Sequence, residues 1–398
     1  HTLMFCVVHG GAGYHGREDE KVVMQALRTA CACAHTCSTS LDAVESAIVV
    51  MEDDPCLNAG YGANLTIDGN VECDAAIAGS FNAFGSVGAV AGLRNPVRAA
   101  RAVLNQSLRP GVLGRVPPLT LVSTGAKVFA ESHGVETVAN DALVAPRALK
   151  EWKLWSQRLA EAQKGNDLSA SRLLQDTVGA AAWHPSSGPA AGVSSGGLLL
   201  KLSGRVGEAA IYGAGCWAES YSGGAVACSV SAGTGEYIVR AVLARTLCES
   251  IVAAYDDRDV DIHALLQTAI IGNFWSTGTE PVGESFDHLS NTVVPLKPCL
   301  ERIPHLARLW CAFTTPSMAV GYVSPSKSPK VRYSTHHIRH LCTSITTRIF
   351  HLVHQHLHCY FPHIFHVIKV ARRPFTHLHA DPMLGFPPAS HGIPPFPT

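Results

Sequence analysis

The chain has 398 residues, 47% of them hydrophobic and 16% charged, with 35 glycines; this is enough apolar mass for one large domain or two ordinary ones, and it argues against a disordered chain. Lys plus Arg and Asp plus Glu both number 31, for a formal net charge of zero. No basic field therefore points to nucleic acid, and no acidic excess points to a basic partner. The sequence starts at His1 without a methionine, and its first apolar run, residues 3–8, is too short for a signal h-region. Thirteen cysteines sit mostly in apolar segments, as at Cys6, Cys73, Cys216 and Cys228. They read as reduced, buried thiols of an intracellular protein, in cytoplasm or nucleus, rather than as a secreted disulfide frame.

In chain order, the pattern predicts a buried strand over 3–8 that runs into His9-Gly10-Gly11-Ala12-Gly13, then a helix over about 18–37. Thr39 and Asp42 form a capping-box pattern ahead of a second helix with Val44, Ala47, Ile48 and Met51 on one face, which Asp54-Pro55 ends. Residues 58–77 alternate Gly and Asn with apolar positions, as strands joined by tight turns do. From 150 to 175 the chain turns polar and helix-prone, with no core face beyond Trp152 and Trp155, and reads as a surface linker. Strands are expected over 177–183, 190–193 and 225–230, a helix from Gly235 to about Cys248, and strands over 309–313 and 318–323. The last 64 residues differ in kind. Twelve of the 21 histidines fall between His336 and His391, and prolines cluster after Pro374. The chain thus divides into a folded domain, 1–334, and a His- and Pro-rich tail, 335–398, outside that fold.

Several motifs suggest chemistry that their context denies. Gly11-Ala12-Gly13-Tyr14-His15-Gly16 matches a dinucleotide fingerprint, but a helix is predicted where the second strand of a βαβ unit would carry the ribose-binding carboxylate. Gly192-Val193-Ser194-Ser195-Gly196 matches the serine nucleophile elbow, which must run from strand into helix. Gly197 and three leucines follow instead; a serine hydrolase acting through Ser194 is the alternative from another mechanistic class. Cys31 with His35, and Cys33 with Cys37, pair on opposed helix faces and cannot converge on a tetrahedral zinc. The alternating His354, His356 and His358, and the apolar stretch 349–368 broken by imidazoles, support neither a metal site nor a membrane span. The expectation is no metal, no cofactor, no nucleic acid and no membrane.

Asp176-Thr177-Val178-Gly179-Ala180 carries a stronger signal: a polar linker ends in Asp-Thr, and a buried strand begins at the threonine. If that bond is cut, Thr177 gains an α-amine of pKa about 7.7–8.0 beside its own hydroxyl, a general base that needs no histidine. Threonine also starts strands simply because β-branched residues favour them, so the junction alone decides nothing. Three later segments add to it. Ser194-Ser195-Gly196-Gly197 supplies hydroxyls near a tight turn. Gly204-Arg205-Val206-Gly207-Glu208 offers a guanidinium on a glycine-rich loop, suited to bidentate carboxylate binding. Ala232-Gly233-Thr234-Gly235-Glu236 lies where a strand passes into a helix, so its N–H groups can cradle an oxyanion.

With these residues the chain resembles the asparaginase/isoaspartyl-peptidase family of threonine hydrolases over about residues 3–333, and within it the threonine-aspartase (taspase) branch. His9-Gly10-Gly11-Ala12-Gly13-Tyr14, Asn58-Ala59-Gly60-Tyr61-Gly62, Glu72-Cys73-Asp74-Ala75, Asp176-Thr177-Val178-Gly179, Gly204-Arg205-Val206-Gly207, Gly215-Cys216-Trp217-Ala218-Glu219 and Thr315-Pro316-Ser317-Met318 fall in family order. The Asp before Thr177 and the Cys-Trp-Ala-Glu run favour the protease branch. The resemblance implies an α+β fold, a four-layer αββα sandwich of the N-terminal-nucleophile hydrolases. Residues 1–176 would form an α subunit and 177–334 a β subunit after self-cleavage, with two αβ units pairing as a dimer. It implies Thr177 as nucleophile, Ser195 as a second active-site hydroxyl and Gly233 as the oxyanion donor. Arg205, Glu208 and Gly235 would bind substrate. Asp176, His9, Gly10, Gly11 and Asn58 would take part in processing. The implied substrate is an Asp-containing protein or peptide cut after Asp, the alternative a free asparagine or β-aspartyl dipeptide.

Two positions depart from the family pattern. Ala232 stands where Thr or Ser is usual, and loss of one oxyanion donor typically costs about 2.7–4 kcal/mol, or roughly 10²–10³ in rate; an inactive member is the corresponding alternative. Glu208 stands where amidohydrolases place Asp for a free substrate amine and taspases an uncharged residue.

Overall fold

The structure is a computed structural model that describes residues 4–13, 20–165, 177–221, 224–230, 235–254, 265, 268, 296–299, 306–313, 317–335 and 348–354. All of them belong to one compact unit, His1–His366.

Strand β1 (Phe5–Gly13) leads to helices α1 (Glu20–His35) and α2 (Ser40–Glu52). Thr39 caps α2, its Oγ1 accepting from the Asp42 N–H at 3.2 Å, which satisfies one donor that the first turn would otherwise leave open. Strands β2 (Cys73–Gly79) and β3 (Phe84–Val90) form a hairpin, followed by α3 (Pro96–Ser107), β4 (Thr120–Val122), α4 (Ser123–Ser132) and α5 (Pro146–Gln163). Beyond residue 176 come β5 (Val178–His184), β6 (Gly188–Ser195), β7 (Cys216–Tyr221), β8 (Gly224–Ser229), α6 (Gly235–Ala241) and α7 (Leu243–Ala253). Strands β9 (Leu296–Cys299), β10 (Leu306–Phe313), β11 (Ser317–Ser324), β12 (Lys327–Thr335) and β13 (Arg348–His354) complete the described elements.

Eight strands make one sheet in the order β12-β11-β1-β5-β6-β2-β3-β4, antiparallel except where β4 joins β3. Helices α1, α2 and α3 cover one face through a core that includes Leu27, Val44, Ile48, Met51, Ile77 and Val103. The β7–β8 hairpin covers the other, through Val7, Ala76, Ala181, Val193, Cys216 and Ala227. Behind the hairpin, α6 and α7 bury Trp217, Val226, Ile238, Leu247 and Ile251. Three apolar interfaces thus separate four layers, helix on sheet on sheet on helix, and the fold is α+β. A separate antiparallel sheet orders β13-β10-β9.

Strand alternation assigns the site residues on and beside the strands to a layer. In β5, Val178, Ala180 and Ala182 face the helices and Ala181 faces the second sheet. In β6, Ala190 faces the helices, whereas Ala191 and Val193 face the second sheet. The pairings Val178↔Ser194 and Asp74↔Ser195 then bring Thr177, Ser195 and Asp74 into one row facing the second sheet. A slip of one residue in any one of these strands would turn its own site residue into the apolar helix-side core.

Several expectations need correction. Residues 58–77 hold one strand, not several: the chain first makes a 3-10 turn at Gly60–Gly62 and an isolated Leu65↔Val71 bridge. A Cβ at Gly62 would collide with the Leu57 carbonyl, so this backbone is packed as a turn. The expected linker over 150–175 is helical as far as Gln163. Its anchor is a single indole, with Trp152 Nε1 donating to the Thr66 carbonyl at 2.9 Å, so the stripe that periodicity reads is absent. The expected helix 235–248 is two helices, broken at Val242, whose φ is 45°. The β-rich segment 216–221, unanticipated, supplies half of the covering hairpin. Ser194 lies inside β6, and the chain then enters a turn, so the nucleophile elbow does not form. Ten cysteines, Cys6, Cys73, Cys216 and Cys228 among them, are free thiols.

Candidate active site

Thr177 immediately precedes β5 and is 2% exposed. Its Oγ1 lies 2.9 Å from Ser195 Oγ and donates to Glu208 Oε1 at 3.1 Å. Ser195 Oγ also accepts from the Gly197 N–H at 3.0 Å. Each hydroxyl carries one proton. With the Thr177 proton given to Glu208, the Ser195 proton points to Thr177, and a donor chain runs from Gly197 N–H through both hydroxyls to the carboxylate.

The turn after Ser195 is clamped by two asparagines. Asn58 Nδ2 and Asn64 Nδ2 each donate to the Gly197 carbonyl at 3.0 Å, while Asn58 Oδ1 accepts from the Asn64 N–H at 2.8 Å. Asn58 therefore acts on the turn that orients Ser195, and has no described contact with Thr177.

Arg205 and Glu208 are held from the adjacent strand. Asp74, fully buried on β2, accepts from the Gly207 N–H at 2.7 Å and the Ala89 N–H at 2.8 Å. Burial pushes its carboxyl above the usual range, with Lys201 and these two backbone donors opposing. Glu208 opens a 3-10 turn, Glu208–Ala210, and burial pushes it up to about 7 against the attraction of Arg205. A Cβ at Gly235 would collide with Glu208 Oε2, so a glycine at the start of α6 leaves this carboxyl its room. The Arg205 side chain is 14% exposed; its Nε donates to Glu236 Oε1 at 2.8 Å and its Nη2 lies 2.7 Å from the same oxygen.

His9 is fully buried on β1, with Nε2 2.9 Å from Ser229 Oγ, which itself donates to the Gly192 carbonyl at 3.0 Å. Burial pushes this imidazole down to about 4, its hydrogen bond to the Thr177 backbone opposing only in part. A Cβ at Gly179, opposite His9 in register, would collide with both His9 Nε2 and Ser229 Oγ. Gly10 packs under Val23 and Leu27, and Gly11 takes φ 98° where β1 bulges between His9 and Ala12.

The structure thus gathers Thr177, Ser195, Glu208, Arg205, Gly235 and His9, with Asn58 one turn away. Asp176 and Gly233, with Ala232, lie outside the described residues. Ser194 is directed elsewhere: it is fully buried toward the helices and donates to Glu52 Oε1 at 2.6 Å. Asp74 and Glu236 carry no role in the sequence reading. A carboxylate inside an otherwise apolar strand is the signal that marks Asp74. Among the described residues, no group of three or more His, Cys, Asp or Glu side chains could hold a metal ion.

Residues 2–260 match the asparaginase family model. The chain is 32% identical over 246 residues to the isoaspartyl peptidase/L-asparaginase of Xenopus laevis, covering 61% of this chain and 74% of that protein. It is 34% identical over 266 residues to the plant-type L-asparaginase of Pyrococcus horikoshii, covering 64% and 81%. With the isoaspartyl peptidase of Escherichia coli it shares 32% identity over 305 residues, covering 72% and 88%. The four layers, the matched region and these relatives together make the chain a hydrolase of the asparaginase family, within the N-terminal-nucleophile superfamily.

Proposed function

We propose that this protein is an aspartyl-directed threonine endopeptidase of the taspase type, which cuts its own chain between Asp176 and Thr177 and then hydrolyses peptide bonds after Asp in protein substrates. The observation that carries this reading is the Thr177 hydroxyl, fixed between Ser195 and Glu208 one residue after an aspartate. Once the bond is cut, the Thr177 α-amine serves as its general base. Ser195 donates to the nucleophile, Arg205 recognises the aspartyl carboxylate through its fork, and the Gly233 N–H receives the oxyanion. The chain's own Leu174-Gln175-Asp176 is the first substrate. A dimer of αβ units acting inside the cell completes the proposal.

A second reading has its own support. A buried carboxyl at Glu208 close to the Arg205 guanidinium suits the ammonium and carboxylate of a free amino-acid head, and relatives carry the names L-asparaginase and isoaspartyl peptidase. Under it, the substrates are asparagine or β-aspartyl dipeptides.

Two measurements test these readings. Denaturing gels with intact-mass analysis should show fragments ending at Asp176 and beginning at Thr177; a single uncut chain that is nonetheless active removes the self-cleavage proposal. Values of kcat/KM for an Asp-containing peptide, asparagine and a β-aspartyl dipeptide then separate the two substrate classes. Higher values for either small substrate select the second reading.

A further inference from the structure

We infer that Glu208 is the general base of self-cleavage: in the uncut chain its carboxylate takes the proton of Thr177 Oγ1, the task that the liberated α-amine performs afterwards. This rests on the self-cleavage reading above and extends it to a step that reading leaves without a base. Before the cut, the nitrogen of Thr177 is a peptide amide, whose lone pair is delocalised and not basic. The base for the first event must therefore be a different group from the one that serves every later turnover.

The surroundings of Oγ1 narrow the choice. Ser195 faces it as a donor, and its own oxygen is occupied by the Gly197 N–H. His9 is engaged through Nε2 with Ser229, and is a weak base when held near 4. Lys201 donates to the Glu72 carbonyl at 2.7 Å. Arg205 offers only N–H donors and no acceptor. Glu208 is the described group placed to accept, at 3.1 Å, with the donor chain oriented toward it. Its carboxyl, raised to about 7 by burial, matches what a base working near neutral pH requires.

The step balances without a co-reactant other than water. As Glu208 takes the hydroxyl proton, Oγ1 bonds to the carbonyl carbon of Asp176, and the tetrahedral centre collapses with rupture of the C–N bond. The departing Thr177 nitrogen receives the proton from Glu208 and becomes the free amine. Water then hydrolyses the Asp176 ester, restoring the Thr177 hydroxyl and leaving a carboxylate on residue 176. Glu208 ends as it began, beside a new amine.

The groups facing Glu208 are Thr177 just ahead of β5, Asp74 from β2 and Arg205 from its own loop, with Glu236 of α6 paired to that Arg205. Of these, Arg205 favours the ionised carboxylate and Asp74 opposes it.

The test follows pulse-labelled full chain from cell-free translation, scoring the two fragments over time between pH 5 and 9. Wild-type cleavage should accelerate through a midpoint near 7 and then level off. Glu208→Gln should cleave about 10²–10⁴-fold more slowly and lose that midpoint. Glu208→Ala should be rescued by added formate. Wild type that cleaves while Glu208→Gln keeps pace with the same profile overturns the assignment and leaves self-cleavage standing. Slow cleavage in Glu208→Ala with no formate rescue also overturns it, because the side chain is then only structural. Wild type that never cleaves instead removes the reading beneath.

Discussion

Ser194 and Ser195 are neighbours in β6, yet each opens onto a different buried glutamate, and the two environments differ in what they can do. On the helix side, Glu52 receives the Ser194 hydroxyl at 2.6 Å and the Val97 N–H at 3.0 Å, tying α2, α3 and the sheet together. On the sheet side, Glu208 receives the Thr177 hydroxyl, whose oxygen in turn lies beside Ser195. Burial pushes both carboxyls up, Glu52 to about 8 and Glu208 to about 7. A perturbed acidity therefore does not separate a strut from a site. The separation comes from the partner: Glu52 holds a serine inside an apolar core, whereas Glu208 holds a hydroxyl that borders the Asp-Thr junction and stands close to a guanidinium.

The comparison fails outright if Thr177 is dispensable. Thr177→Ala should abolish self-cleavage and lower kcat by as much as about 10⁶-fold, the scale seen when a nucleophile is removed; retained turnover would move the site elsewhere. The serine pair provides a sharper contrast. Ser195→Ala should cost roughly 10²–10³ in kcat, as loss of one positioned hydroxyl does. Ser194→Ala should leave kcat nearly intact but lower stability by about 1–3 kcal/mol, because the Glu52 carboxyl loses a donor. Chemical denaturation and steady-state kinetics on both variants check this, and a reversed pattern would invert the two faces. Arg205→Ala should reduce kcat/KM by about 1.5–3 kcal/mol, roughly 10–150-fold and mainly through KM, with the fold unchanged.

The smallest effect is in the pH dependence of stability. The Glu52 carboxyl titrates at about 8 when folded, against 4.5 ordinarily. A raised acid stabilises fully below its unfolded value and loses that contribution as pH climbs toward the folded one. Glu52→Gln should therefore flatten the decline of Tm between about pH 4.5 and 8, a difference that widens toward pH 8. His9 works in the opposite direction. Its value falls from 6.5 to about 4, so its contribution is complete above 6.5 and lost as pH falls through 4. A Glu52→Gln melting profile parallel to wild type would show that the strut is already ionised.

How much of this was legible in the sequence follows from the range of each interaction. Thr177, Arg205 and Glu208 stand out because their signals are local: an Asp-Thr junction at the head of an apolar strand, and a charged pair among glycines. The capping of α2 by Thr39 is local too. Asp74 has no such signal, since its role is to hold the Gly207 amide, 133 residues further along. Which of Ser194 and Ser195 faces Thr177 depends on the pairing Val178↔Ser194, and register is a tertiary fact. Segment 216–221 escaped for a related reason: its pairing partner is the separate strand β8.

The order of the large sheet has a consequence for the proposed cut at residue 176. Strands β12 and β11 come from beyond residue 176, β1 from before it, β5 and β6 from beyond, and β2, β3 and β4 from before. The two products of a cut at that junction are therefore shuffled together like a spliced rope, each hydrogen-bonded to the other at three successive boundaries. Neither piece could leave without unravelling the ladder of its neighbour, so a new terminus at Thr177 would stay lodged between β1 and β6. A cut there would change the chemistry of one nitrogen and leave the two pieces joined along the ladder, to part only under denaturant.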